Sequence, residues 1–267
     1  MDKSQILKEY KRQEEKMCLA QILDKIEFSK TKDKIETTDF LDMYQVSLVK
    51  NFFRKIQFEN YQLYGGYEES ERKIAIIYTE KYDEKMIEKN YAQMLKIVRI
   101  RLPEETKGKY THRNYLGGIV KLGLNREKVG DIIVTDEGAD IITVNSFAEI
   151  LKAQLGTLTR FENSNITIEE IENLTKKEVK VEQIKIIVPS LRIDNIVSDL
   201  ARTSRSKAVQ IMAQERVFIN GQNETKPSKQ IKMNDIITIR GKGRFIIKET
   251  AGSTRSGRTV LVIEKYV

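Results

Sequence analysis

The sequence predicts an α+β protein in three parts: a helical N-terminal region at 1–57, a central mixed domain at 58–184 and a basic C-terminal module at 185–267. Three observations lead there. Apolar residues recur at helical spacing as far as Phe53. From residue 58 onward, runs rich in Ile, Val and Tyr alternate with helical stretches, the pattern of a mostly antiparallel sheet with helices packed on it. The positive excess lies in the last third, where residues 185–267 hold 16 Lys and Arg against 7 Asp and Glu, while the rest holds 31 against 32.

Residues 3–28 read as one helix on Ile6, Tyr10, Met17, Ala20, Ile22, Leu23 and Ile26. A second starts near Thr38 and carries Phe40, Leu41, Tyr44, Val46, Leu48, Val49, Phe52 and Phe53 as a core-facing stripe. Gly65-Gly66 is a turn between strands at 58–64 and 73–79, and 91–102 is a further strand. Thr111 caps a helix through Leu122 that Gly123 ends. Strands at 131–135 and 140–144 flank Glu137-Gly138, and Ser146 caps a helix to Leu155 that stops at Gly156. A strand at 179–188 completes the central domain, which Pro189-Ser190 closes. The C-terminal module reads as helices at 191–200 and 204–214, then strands at 216–220, 230–232, 235–240 and 244–249. A flexible basic loop at 251–258 leads to a last strand at 259–266.

Composition narrows the function. The chain has 267 residues, a net charge of +8, 40% hydrophobic and 32% charged residues, which is globular and long enough to bury a core. Cys18 is the single cysteine, so no internal disulfide is possible and a reducing, cytoplasmic compartment is expected. His112 is the single histidine; together these counts remove most metal-site and His-based catalytic schemes, and neither metal nor cofactor is expected. No signal-peptide h-region and no membrane-length apolar run is seen. A charge asymmetry of this size points to a polyanion-binding module at one end.

Five pieces stand in order in that module: Leu191-Arg192-Ile193-Asp194, Thr203-Ser204-Arg205-Ser206-Lys207-Ala208, Val217-Phe218-Ile219-Asn220-Gly221, Lys226-Pro227-Ser228 and Asn234-Asp235. Together they resemble the S4 domain, an RNA-binding module. Glu215 stands where that family has Gly, which implies a differently built turn, and Asn234 replaces the Gly of Gly-Asp, where Asn keeps a left-handed turn open. Ser204 can cap the second helix, whose first turn holds Arg205 and Lys207 where a helix N-terminus favours acids. A phosphate from a partner would complete that arrangement. Arg202 and Arg216 extend the patch. Arg192 has two readings, an ion pair with Asp194 or Asp199, or an RNA contact. Lys226, Lys229, Lys242 and Arg244 are either peripheral phosphate contacts or solvated charges.

The central segment holds Tyr64-Gly65-Gly66-Tyr67, Glu71-Arg72, Thr111-His112-Arg113-Asn114-Tyr115-Leu116-Gly117-Gly118 and Leu122-Gly123-Leu124-Asn125-Arg126-Glu127-Lys128-Val129-Gly130-Asp131. With an S4 pattern behind them, these resemble the YlmH family of bacterial RNA-binding proteins, although Asn114 stands where the family pattern has Asp. The resemblance implies a helical N-terminal region, a central RRM-like (ferredoxin-like) domain and an S4 domain. It also implies RqcP-like work in ribosome-associated quality control, on a large ribosomal subunit carrying stalled peptidyl-tRNA, with 23S rRNA and tRNA as partners, a monomeric state and a link to cell division. From the residues themselves, His112 and Arg113, with Lys121, either meet phosphate at a helix start, or His112 caps or packs. Leu116, Ile119, Val120 and Leu122 read as core. Gly117-Gly118 inside a helix costs stability, which calls for close approach by a sheet, a partner or RNA, helix–sheet packing being the first choice.

Enzyme readings find little. There is no phosphate-binding glycine loop opening a helix, and acidic pairs such as Glu68-Glu69 and Glu104-Glu105 read as solvated surface. The expectation is a non-catalytic RNA-binding factor; the alternative is an RNA-modifying enzyme with an appended S4 domain.

Overall fold

The computed structural model describes residues 3–175 and 181–266 and divides into two compact units, residues 1–177 and 178–267. Among the described residues no helix is long and apolar enough to cross a membrane.

The first unit begins with α1 (Lys3–Leu7) and α2 (Gln13–Lys32) in place of one continuous helix. The break lets Tyr10 leave the helical register and meet Phe52 edge-on, ring centroids 6.3 Å apart. After β1 (Glu36–Thr37) comes α3 (Met43–Lys55), which starts later than Thr38 suggests. Its cap is Asp42, whose carboxylate accepts from the Gln45 N–H at 2.8 Å while the Gln45 side chain accepts from the Asp42 N–H at 2.9 Å. Thr38 instead accepts the Ala75 N–H through its hydroxyl. Phe40 and Leu41 are buried ahead of the helix, Leu41 bridging Lys73. Strands β2 (Tyr61–Tyr64) and β3 (Ile74–Ile77) complete a small antiparallel sheet in the order β1-β3-β2.

Two short helices, α4 (Glu84–Glu88) and α5 (Tyr91–Met94), precede β4 (Leu95–Arg101), so the strand expected from residue 91 cedes its first turn to helix. Then follow α6 (His112–Lys121), β5 (Val129–Thr135), β6 (Gly138–Val144), α7 (Ala148–Gly156) and β7 (Asn165–Glu170). Ser146 lies in a tight turn before α7 and is not its cap. The sheet order is β5-β6-β4-β7 with every pairing antiparallel, the β-α-β-β-α-β order of ferredoxin-like folds with the first and third strands central.

Strand alternation covers this sheet on both faces. Val98, Ile100, Ile132, Ala139 and Ile141 pack with Tyr115 and Ile119 of α6 and Leu151 and Leu155 of α7. Their neighbours Leu95, Ile97, Ile133, Ile142 and Val144 pack with Phe40, Ile74, Ile76 and Tyr78 from the N-terminal layer.

The second unit opens with β8 (Val181–Val188), which pairs antiparallel with β13 (Thr259–Tyr266) along its whole length. The strand expected to close the central domain therefore belongs to the C-terminal sheet, and a border after residue 184 falls inside it; Val179 lies outside the described residues. Ile186 and Val188 are buried with Leu261 and Ile263, which explains the exchange: the apolar partners sit at the far end of the chain. Between them run α8 (Ile193–Leu200), α9 (Arg205–Ala213), β9 (Val217–Ile219), β10 (Gln222–Asn223), β11 (Ile236–Ile239) and β12 (Gly243–Ser253). The sheet order is β10-β9-β11-β12-β13-β8. The strand expected at 230–232 contracts to a single bridge, Arg192 to Gln230, and the first three residues of the expected basic loop, 251–253, are the exposed end of β12.

Both helices of this unit end without glycine. Arg202 and Glu215 adopt left-handed φ values of 51° and 56°. The Arg202 and Thr203 N–H groups return to Asp199 and Ser198 oxygens, and those of Glu215 and Arg216 to Met212 and Ile211. These are Schellman closures. The departure at Glu215 thus leaves the turn unchanged and places a side chain where Gly is preferred. Asn234 is also left-handed, at 65°, as its residue type predicts. Replacing Glu215 with Gly is expected to stabilise the C-terminal unit by about 0.5 kcal/mol, relief of the left-handed penalty being partly offset by unfolded-state entropy. Urea unfolding reads the difference; a destabilised glycine variant would contradict it.

Candidate nucleic-acid interface

The basic residues of the C-terminal unit fall into two groups. The first lies where α8 and α9 begin. The loop carrying Lys226 and Lys229 seats the start of α8, because the Ile193 N–H donates to the Lys229 carbonyl at 2.9 Å and the Asp194 N–H to the Pro227 carbonyl at 3.3 Å. This places the buried Asp194 carboxylate beneath two guanidiniums. Arg192 donates to it through Nε at 3.1 Å and Nη2 at 2.9 Å, and Arg205 donates through Nε at 2.9 Å and Nη2 at 2.7 Å. Burial pushes the Asp194 carboxyl up, but the hydrogen bonds from Arg192 and Arg205 outweigh it and hold the group below the usual carboxylate range.

The ion pair that one reading of Arg192 called for is present, with Asp194 rather than Asp199 as the partner. For Arg205 the expectation of a vacant anion position needs correcting. The acid at the start of α9 is present in the chain, eleven positions upstream and delivered by the packing of α8 on α9. Two guanidiniums share one carboxylate, so the group keeps a positive excess, and 55% of the Arg205 side chain remains exposed. Lys207 is exposed in the same first turn, which Ser204 caps by accepting the Lys207 N–H at 3.3 Å. Arg202 is exposed at the turn between the helices. Arg192, Arg202, Ser204, Arg205 and Lys207, with the exposed Lys226 and Lys229 on the seating loop, therefore gather around the α8–α9 pair.

The second group lies at the other end of α9, about 14 Å along its axis. Arg216 donates to the Arg240 carbonyl at 3.0 Å, and Arg240 lies over the Phe218 ring at 4.9 Å. Lys242 is exposed in the turn between β11 and β12, and Arg244 lies 5.8 Å from the Tyr266 ring centroid. Arg240, in the turn that follows β11, belongs here although nothing in the sequence reading marked it. Arg244 is half-buried against an aromatic ring, which separates it from the exposed cations.

In the first unit, His112 and Arg113 are exposed at the start of α6. The Asn114 side-chain oxygen Oδ1 accepts from the Thr111 N–H and hydroxyl, both at 2.9 Å, so a carboxamide does the capping work there. Val120, expected in the core, is 61% exposed. Among the described residues no group of three or more His, Cys, Asp or Glu side chains is placed to hold a metal ion.

Residues 87–176 match the family described as a putative RNA-binding domain in YlmH, and residues 191–237 match the S4 domain. The chain thus carries a region matching the YlmH RNA-binding domain, followed by a region matching the S4 domain. It is 26% identical over 256 residues, 95% of this chain and 96% of the relative, to ribosome-associated protein quality control protein P2 of Bacillus subtilis (strain 168). The cell division protein YlmH of Streptococcus pneumoniae aligns in structure at 19% identity with a TM-score of 0.44, covering 62% of this chain and 98% of that one. The RNA-binding-domain match runs from α4 past β7, and the S4 match covers the whole first basic group. Residues 1–86 lie outside both matches, as do β8, β12 and β13.

Proposed function

We propose that the chain is a non-catalytic, monomeric, cytoplasmic RNA-binding factor that acts on the large ribosomal subunit in quality control, engaging 23S rRNA and tRNA where peptidyl-tRNA has stalled. The observation that carries this reading is the paired Arg192 and Arg205 on the buried Asp194, inside the S4 match and beside Lys207. A buried carboxylate fixes the geometry of two guanidiniums whose remaining donors serve phosphate, so the entropy of ordering them is met in folding rather than in binding. The name of the Bacillus subtilis relative supports the ribosomal setting.

Arg205→Ala with Lys207→Ala is expected to weaken binding to large-subunit rRNA and tRNA and to flatten the dependence of log affinity on log salt by roughly 1.4 to 1.8, two contacts at about 0.7 to 0.9 each. An unchanged slope would remove the assignment. Mass spectrometry of rRNA and tRNA incubated with the protein addresses catalysis; a reproducible new modification would establish the enzyme reading instead.

A further inference from the structure

The open sheet face that RRM-like domains offer to RNA bases is closed in this chain. Leu95, Ile97, Ile133, Ile142 and Val144 lie against Phe40, Ile74 and Ile76. The central strands β4 and β6 carry no aromatic side chain, so even a bared sheet would lack a stacking platform there. RNA must approach this domain elsewhere.

The glycine pair of α6 points to where. A Cβ at Gly118 would come within 2.9 Å of Leu158 Cδ1 and 3.6 Å of Phe161 Cε2, so Gly118 is explained by packing against the segment after α7. A Cβ at Gly117 would meet nothing within 4 Å. Gly117 is exposed, mid-helix and not in the left-handed region, so nothing in the fold requires its lack of a side chain, although glycine there weakens the helix. Its neighbours on the helix surface are Arg113 four positions before, Val120 three after and Lys121 four after, all exposed. The two cations stand about 12 Å apart along the axis. Beside the first turn, the exposed Arg160 is held by its bond to the Asn114 carbonyl at 2.6 Å, while its own carbonyl accepts from the Tyr110 hydroxyl at 3.2 Å.

We propose that this face of α6, with Gly117 at its centre, Arg113 and Lys121 at its ends and Arg160 beside it, is where the central domain receives an RNA sugar–phosphate backbone. The missing side chain allows the backbone to approach closely, and the flanking cations meet its charge. The inference rests on the RNA-binding reading above and assigns that reading a second surface, separate from the S4 group.

The test uses the full chain with bulk tRNA and 23S rRNA as probes. Gly117→Ala is expected to raise the unfolding midpoint, since helix propensity improves and space is free. Gly117→Leu is expected to lower RNA affinity on the order of fivefold, the loss of about one contact. Arg113→Ala with Lys121→Ala is expected to flatten the salt slope by roughly 1.4 to 1.8, and does not depend on the leucine variant folding. Wild-type affinity and slope in both of these variants, with the wild-type chain binding RNA, would overturn the inference and leave the S4 reading standing. A loss of binding to intact large subunits with RNA affinity unchanged would also overturn it, by assigning the face to protein. No RNA binding by the wild-type chain would overturn the functional reading and this inference with it.

Discussion

Asp194→Ala is expected to destabilise the C-terminal unit by about 2 kcal/mol. The carboxylate is 2% exposed and accepts four N–H bonds from Arg192 and Arg205 and a fifth from the Asn195 backbone at 3.0 Å. Breaking a fully buried ion pair costs about 3 to 5 kcal/mol, but both guanidiniums are partly exposed and recover hydration, so the figure is discounted. What water does not replace is the coupling of the two helix starts, since one side chain holds the first turns of both α8 and α9. Hydrogen exchange over residues 193–213 should therefore accelerate more than exchange in β11. Uniform protection equal to wild type would show the carboxylate to be dispensable. The pH dependence has a definite sign. A carboxyl held low in the folded state contributes stability above its unfolded pKa, near 3.9, and loses it as pH falls through the lower folded value. Acid unfolding of the wild-type unit should therefore show a transition below about pH 4 that Asp194→Ala lacks.

That carboxylate also marks the limit of what the sequence makes legible. Ser204, Arg205 and Lys207 announce a helix start with the wrong charge, and this local anomaly is real. Its resolution is not local: Asp194 reaches Arg205 only because α8 folds back on α9. The order of the five S4 pieces survives translation into structure because each is a turn or cap with its own residue chemistry. The left-handed turn at Asn234 follows from residue type, whereas the equally left-handed Arg202 and Glu215 do not, since their conformation is imposed by Schellman closures. Strand β7, Asn165–Glu170, has no counterpart in the sequence reading because its alternation is short, only Ile166 and Ile168 among polar residues, and it becomes a strand by pairing with β4. The transfer of β8 to the C-terminal sheet depends on β13, at the other end of that unit. Covering of the RRM-like sheet is marked in the sequence by the adjacent apolar pairs Ile97-Val98 in β4 and Ile141-Ile142 in β6, which put one apolar side chain on each face.

The covering layer is fastened by a polar group, and Arg72→Met is expected to loosen it, at a cost of about 2 to 3 kcal/mol. Arg72 donates from Nε to the Val129 carbonyl at 3.0 Å and from Nη2 to the Phe40 carbonyl at 2.9 Å. It thereby joins the segment before α3 to the start of β5. Asp131 receives the other side of the same turn: its carboxylate accepts from the Tyr67 hydroxyl at 2.9 Å and from the Glu71 and Arg72 N–H groups at 2.7 and 3.1 Å. Burial pushes the Asp131 carboxyl above its ordinary value despite these bonds and the nearby Arg126 and Arg72. A carboxyl raised in the folded state contributes most below its unfolded pKa and loses that contribution as pH rises through the folded one, so charge on Asp131 is not what stabilises the group at neutral pH. The stabilising elements are the directed hydrogen bonds, and Arg72 supplies those that cross between segments. Met keeps the apolar stem but leaves the Phe40 carbonyl without the Arg72 donor, while the Val129 carbonyl retains Arg126. The consequence should be local before it is global. Phe40, Ile74 and Ile76 should separate from Ile97 and Ile142 at urea concentrations that leave the second unit folded, exposing apolar surface that binds a hydrophobic dye. If the variant matches the wild type in urea midpoint and dye binding, the layer is held by apolar packing alone. If it binds dye, the knot built from Tyr67, Arg72 and Asp131 is what keeps the sheet covered.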